Sequence, residues 1–171
     1  MNLEFYKSKF EREQKRRVDL DNALNLPILV STLVMGLNSY VIKEHKFNEI
    51  WNFSDSIIII LLIISGILIM FSSYYVFLAV NNLLKGFDYP NFDLMIKYRE
   101  IEIFNEKCLE EENKLNLEEI IKDKLVMYAD ESTVINDRRG DNLCDARKFI
   151  IINFVCVITN ILIVTSSNLL K

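Results

Sequence analysis

The chain is poor in the residues that build compact catalytic sites. Its 171 residues include four glycines, two prolines, three cysteines and one histidine. With glycine only at positions 36, 66, 86 and 140, no glycine-rich loop exists to cradle a phosphate. The P-loop, G-x-S-x-G and H-E-x-x-H patterns are missing, as is an arginine followed after four residues by histidine. Cys108, Cys144 and Cys156 are odd in number and unpatterned, so nothing suggests a disulfide framework or a metal site, and they read as small buried hydrophobes. His45 has no cysteine or carboxylate cluster around it and reads as an exposed loop residue near Trp51. No metal, cofactor or enzymatic activity is expected. The middle of the chain is acidic, which argues against bulk nucleic-acid binding, though a small site for a short oligonucleotide escapes that objection.

Charge is also missing from three long runs, and these organise the chain. Ser56 to Leu84 holds no charged residue between Asp55 and Lys85. A bilayer core of about 30 Å needs about 20 apolar helical residues, so this run is a transmembrane candidate. Ala23 to Ile42 and Phe149 to Leu170 are each long enough to cross as well. Asn25, Pro27, Thr32 and Asn38 weaken the first of them. It is long for a signal-peptide core and no A-x-A-like site follows, so it reads as retained. The expected fold is an all-α integral membrane protein. It comprises an N-terminal helix at 1–22, spans at 23–42, 56–84 and 148–170, an outer loop at 43–55, and a helical segment at 85–147.

Basic residues near the span ends set orientation. Lys7, Lys9, Arg12, Lys15, Arg16 and Arg17 precede the first span, whereas the connection to the second carries only Lys43 and Lys46. The N-terminus and the 85–147 segment are expected in the cytoplasm of a bacterial cell, with the chain multi-pass in the inner membrane. Ser54 or Asp55 is the expected cap of the second span, and Gly86 with Phe87-Asp88-Tyr89-Pro90 the turn that follows it. Pro27 suggests a kink at the membrane entry. Asn116-Leu-Glu-Glu119 has the form of a capping box, which predicts a helix from Leu117, and a further helical stretch from about Ser132 leads into the last span.

Polar residues in the spans recur by sevens. Ser31 and Asn38, Ser65 and Ser72, and Asn153, Asn160 and Ser167 each form a stripe on one helical face. Such stripes avoid lipid and mark helix contacts or a wetted pore lining, and Gly36 and Gly66 permit close helix approach. No acid or base lies mid-span, which argues against a proton relay. Before the last span, Asn136, Arg139, Leu143 and Arg147 recur at three- and four-residue steps, with Arg138 adjacent. Guanidinium suits bidentate contact with phosphate or carboxylate, so Asn136, Arg138, Arg139 and Arg147 are candidates for an anionic ligand or lipid headgroup. The simpler reading has these arginines set topology while Asp137, Asp141 and Asp145 pair with them.

The order of these features resembles a known group. A basic N-terminal helix, LNLPILVSTLVMG opening the first span, GFDYP after the second and INDRRGDNLCDAR before the last look like small bacterial multi-span effectors of antiphage defence. Examples are the transmembrane effectors of cyclic-oligonucleotide (CBASS-type) systems and the channel component of Hailong-type systems. The resemblance implies homo-oligomers that permeabilise the inner membrane when a nucleotide-type ligand changes. It assigns no ligand residues. The alternative expectation is a non-conducting anchor or adaptor that recruits a soluble partner protein through the acidic segment.

Overall fold

The structure is a computed structural model that describes residues 2–45, 53–80, 88–91, 95–108 and 115–169. Every regular element among them is helical: α1 (Leu3–Ala23), α2 (Asn25–Glu44), α3 (Phe53–Ala79), α4 (Met95–Lys107) and α5 (Leu117–Leu169). Three helical stretches are long and apolar enough to cross a membrane, Leu3–Glu44, Phe53–Ala79 and Leu117–Asn168. The chain is an all-α membrane protein.

Proline chemistry explains the break between α1 and α2. A proline at position 27 cannot donate to the carbonyl of residue 23, and its ring clashes with that carbonyl. Helix α1 accordingly ends at Ala23, and α2 starts at Asn25 with Pro27 in its first turn, where a missing N–H costs nothing. The interruption, at Leu24, thus falls three residues before the proline.

Two boundaries differ from the sequence expectation. Helix α3 begins at Phe53, so Asp55 lies inside its first turn and does not cap it. An acid there suits the helix dipole. The stretches expected to start at Leu117 and Ser132 are one uninterrupted helix of 53 residues. The Gly86-Phe87 part of the expected turn, Trp51 and the acidic run at 110–112 lie outside the described residues.

The chain divides into two compact units, Met1–Asp19 with Lys85–Asp137 and Leu20–Leu84 with Arg138–Lys171. The first is helical. Leu3, Phe10, Ile121 and Leu125 line a common surface, and Glu13 meets Asn136 farther along, so α1 and the start of α5 run parallel. In the second unit, Asn38 meets Ser65 and His45 meets Asp55, which sets α2 antiparallel to α3. Ala79 meets Arg139 and Ser65 meets Asn153, which sets α3 antiparallel to α5. Val41, Ile58 and Val164 form a buried apolar cluster of these three helices.

The N-cap half of the capping box is formed, and Glu119 reaches back to the Asn116 side chain and not to its backbone amide. The Glu119 amide donates to Asn116 Oδ1 at 3.2 Å, and Asn116 Nδ2 donates to the Glu119 carboxylate at 3.4 Å. Asn116→Ala should cost about 1 kcal/mol at this helix start. Faster amide exchange confined to residues 117–120 is the expected sign, and unchanged exchange there would show that the cap does not hold the turn.

Candidate functional site

The membrane unit is built on a seam with a seven-residue repeat. Buried residues of α5 recur at alternating steps of three and four: Arg139, Leu143, Ala146, Ile150, Asn153, Val157, Asn160 and Val164. One set, spaced by seven, is polar or small, namely Arg139, Ala146, Asn153 and Asn160; the other is apolar. On α3 the buried set is Asp55, Ile58, Ser65, Ser72 and Ala79, the last four spaced by seven, and on α2 it is Pro27, Val34 and Val41. A sustained repeat of 3.5 residues keeps one face turned to its neighbours, as in a coiled coil.

Ser65 is the junction of this seam. Its hydroxyl accepts from Asn38 Nδ2 at 2.6 Å, and its backbone carbonyl accepts from Asn153 Nδ2 at 3.2 Å. One residue of α3 thereby holds both α2 and α5. Several polar atoms of the seam remain without a partner among the described residues: Asn38 Oδ1, Asn153 Oδ1, Ser72 Oγ, and both Nδ2 and Oδ1 of Asn160. Asn160 is fully buried. Exposed hydroxyls behave differently, since Thr32, Ser39, Thr159 and Thr165 each donate to the carbonyl four residues back.

Polar pairs sit at both ends of the seam. At one end Arg139, with no exposed surface, donates through Nε to the Ala79 carbonyl at 2.8 Å and forms an ion pair with Asp21. Asp21 is about half exposed. At the other end His45 is buried and its Nε2 lies 2.7 Å from Asp55 Oδ1. The expectation of an exposed His45 is therefore corrected: the ends of α2 and α3 bring it onto a buried carboxylate ten residues away in sequence.

Asn136 belongs to the other unit, where it joins three segments. Its Nδ2 donates to the Glu13 carbonyl and carboxylate at 3.0 and 3.1 Å, and its Oδ1 accepts from the Tyr89 hydroxyl at 2.7 Å. The Arg17 guanidinium lies 4.2 Å from the centre of the Tyr89 ring, a cation–π distance. Arg16 pairs with Asp137 at 2.6 Å, and that hydrogen bond raises the Arg16 pKa above its ordinary value. Glu13 is buried, and Arg12 and Arg16 balance its charge.

The candidate ligand residues thus have distinct settings. Asn136 and Arg139 are buried and bonded within the chain, whereas Arg138 and Arg147 are exposed. Among the stripe residues, Asn38, Ser65, Ser72, Asn153 and Asn160 face the seam, and Ser31 and Ser167 are half-buried. Sequence reading missed Glu13, Asp21 and Asp55 as partners. The two α1 acids stand among many charged neighbours, with nothing local to single them out. Gly36 and Gly66 have open faces, since a Cβ on either would meet nothing within 4 Å. Among the described residues no group of three or more His, Cys, Asp or Glu could hold a metal. No protein-family model, curated protein or solved structure matches this chain.

Two stability results follow from the seam. Asp21→Ala takes the half-exposed carboxylate from the buried Arg139 guanidinium and should cost about 1–3 kcal/mol, part of which Arg139→Met should restore in the double variant. Thermal unfolding in detergent measures both, and strictly additive losses would contradict the pairing. Asn160→Val removes an unpaired buried amide and should raise the unfolding temperature, whereas Asn153→Val breaks a bond to Ser65 and should lower it. A fall for Asn160→Val would mean that its amide is satisfied.

Proposed function

We propose that this protein is an oligomeric effector of the bacterial inner membrane, acting in antiphage defence. Its subunits form a gated pore or membrane-disrupting assembly, controlled from the cytoplasm by a nucleotide-type ligand. The observation that carries this reading is Asn160, buried in the membrane unit with neither amide atom paired. In a bilayer such a group has no water to turn to and costs about 1–3 kcal/mol. Ser72, Asn38 and Asn153 carry further unpaired atoms along the same seam. A bundle selected only for packing would place apolar residues there. A bundle whose helices rotate or part to admit water would keep them, because the same groups then line the wetted path.

The open faces at Gly36 and Gly66 support assembly, since they allow a helix of another subunit to approach closely. The basic residues from Lys7 to Arg17 favour a cytoplasmic N-terminus. A second reading, an anchor for a soluble partner protein, is favoured by Ile96 and Phe104 on α4, which stand 61% and 49% exposed outside the spans.

Reconstitution in liposomes with a panel of cyclic di- and trinucleotides tests the pore. Wild type should release entrapped dye with one of them, and Asn160→Leu and Asn38→Leu should abolish release while remaining folded. No release under any condition, together with a monomer by light scattering and capture of a partner that Ile96→Asp and Phe104→Asp abolish, would overturn the pore in favour of the anchor.

A further inference from the structure

The membrane unit carries a groove outside the seam. It lies between the start of α2 and the middle of α5 and has a volume of about 480 Å³. Pro27 and Ile150 are its buried floor, and Leu26, Leu33, Ile151 and Val155 form exposed walls. Arg147 is the one residue of the lining that carries a charge, and it borders the groove through its apolar stem. The side chain of Arg147 is exposed and makes no ion pair among the described residues, whereas its neighbour Lys148 pairs with Asp145 at 2.8 Å.

We infer that this groove binds one anionic membrane phospholipid, with an acyl chain against α2 and α5 and the phosphate on Arg147. Three features point to this occupant. The walls belong to spanning helices, so the groove opens toward acyl chains. Its α5 lining runs from Arg147 to Val155, about 12 Å at 1.5 Å per residue, close to the depth of one leaflet of a core of about 30 Å. Arg147 is the first α5 residue of the lining, and its exposed guanidinium, beyond the apolar wall, can grip a phosphate through two parallel N–H donors. A soluble anion would gain nothing from the apolar walls, and a zwitterionic lipid would bring its own cation to compete with Arg147. The site stands whether or not the assembly conducts.

The full chain, delipidated in mild detergent, is titrated with phosphatidylglycerol or phosphatidylcholine, and bound lipid is counted by native mass spectrometry. Wild type should take up one phosphatidylglycerol with roughly fivefold preference, the scale of one cation beside an anionic headgroup. Arg147→Gln should erase the preference. Val30→Trp, which fills the groove, should reduce binding of both lipids. Arg138→Gln removes an exposed guanidinium outside the groove lining and should bind as wild type does. Equal uptake of the two lipids by wild type, an Arg138→Gln loss as large as that of Arg147→Gln, or unchanged binding by Val30→Trp would each overturn the assignment.

Discussion

Ser65 holds the membrane unit together. Lipid tails are as apolar as the side chains they contact, so the hydrophobic effect that drives soluble helices together is weak between spans. Packing and interhelical hydrogen bonds must do more of the work. Ser65 accepts one bond from α2 through its hydroxyl and one from α5 through its carbonyl. Small side chains at 65 and 72 let the helices approach, and Val41, Ile58 and Val164 fill the space at the His45 end. Arg139 reaches the Ala79 carbonyl at the opposite end. The seam therefore runs from an ion pair to a buried histidine–carboxylate pair, with neutral amides and hydroxyls between.

Much of this was legible in the sequence because it depends on local periodicity. The uncharged runs locate the spans, and the repeat of serine and asparagine by sevens marks the seam residues. The capping box at Asn116 marks the start of α5. Partners across the fold were not legible. Asp21 and Glu13 lie in a helix rich in both charge signs, and their selection depends on what α5 presents to them. His45 looked isolated because its partner lies ten residues on, and no local pattern specifies that pairing.

Arg147 shows how the choice of ruler decides a site. Eleven residues bring a straight helix of 3.6 residues per turn back to nearly the same face, which aligns Arg147 with Asn136. Helix α5 instead follows the seven-residue repeat, in which the seam passes from Leu143 to Ala146 and Ile150. On that ruler position 147 falls beside the seam, so its guanidinium is exposed while Arg139 is buried. The same small difference in period separates a structural arginine from one available to a ligand.

Burial of a polar group has two possible meanings, and hydrogen bonding tells them apart. Asn136 is as deeply buried as Asn160, yet the first satisfies both its donor and its acceptor and the second satisfies neither. A satisfied amide adds specificity to a fold at little net cost. An unsatisfied one destabilises the arrangement in which it is found, and the pore proposed above gives it a second arrangement in which it is paired or wet. On that proposal Ser65 would restrain the change, because it ties α2 and α5 to α3. A pore that gated as proposed above would have to break or exchange both of these bonds, with the unpaired Asn160 amide favouring the change.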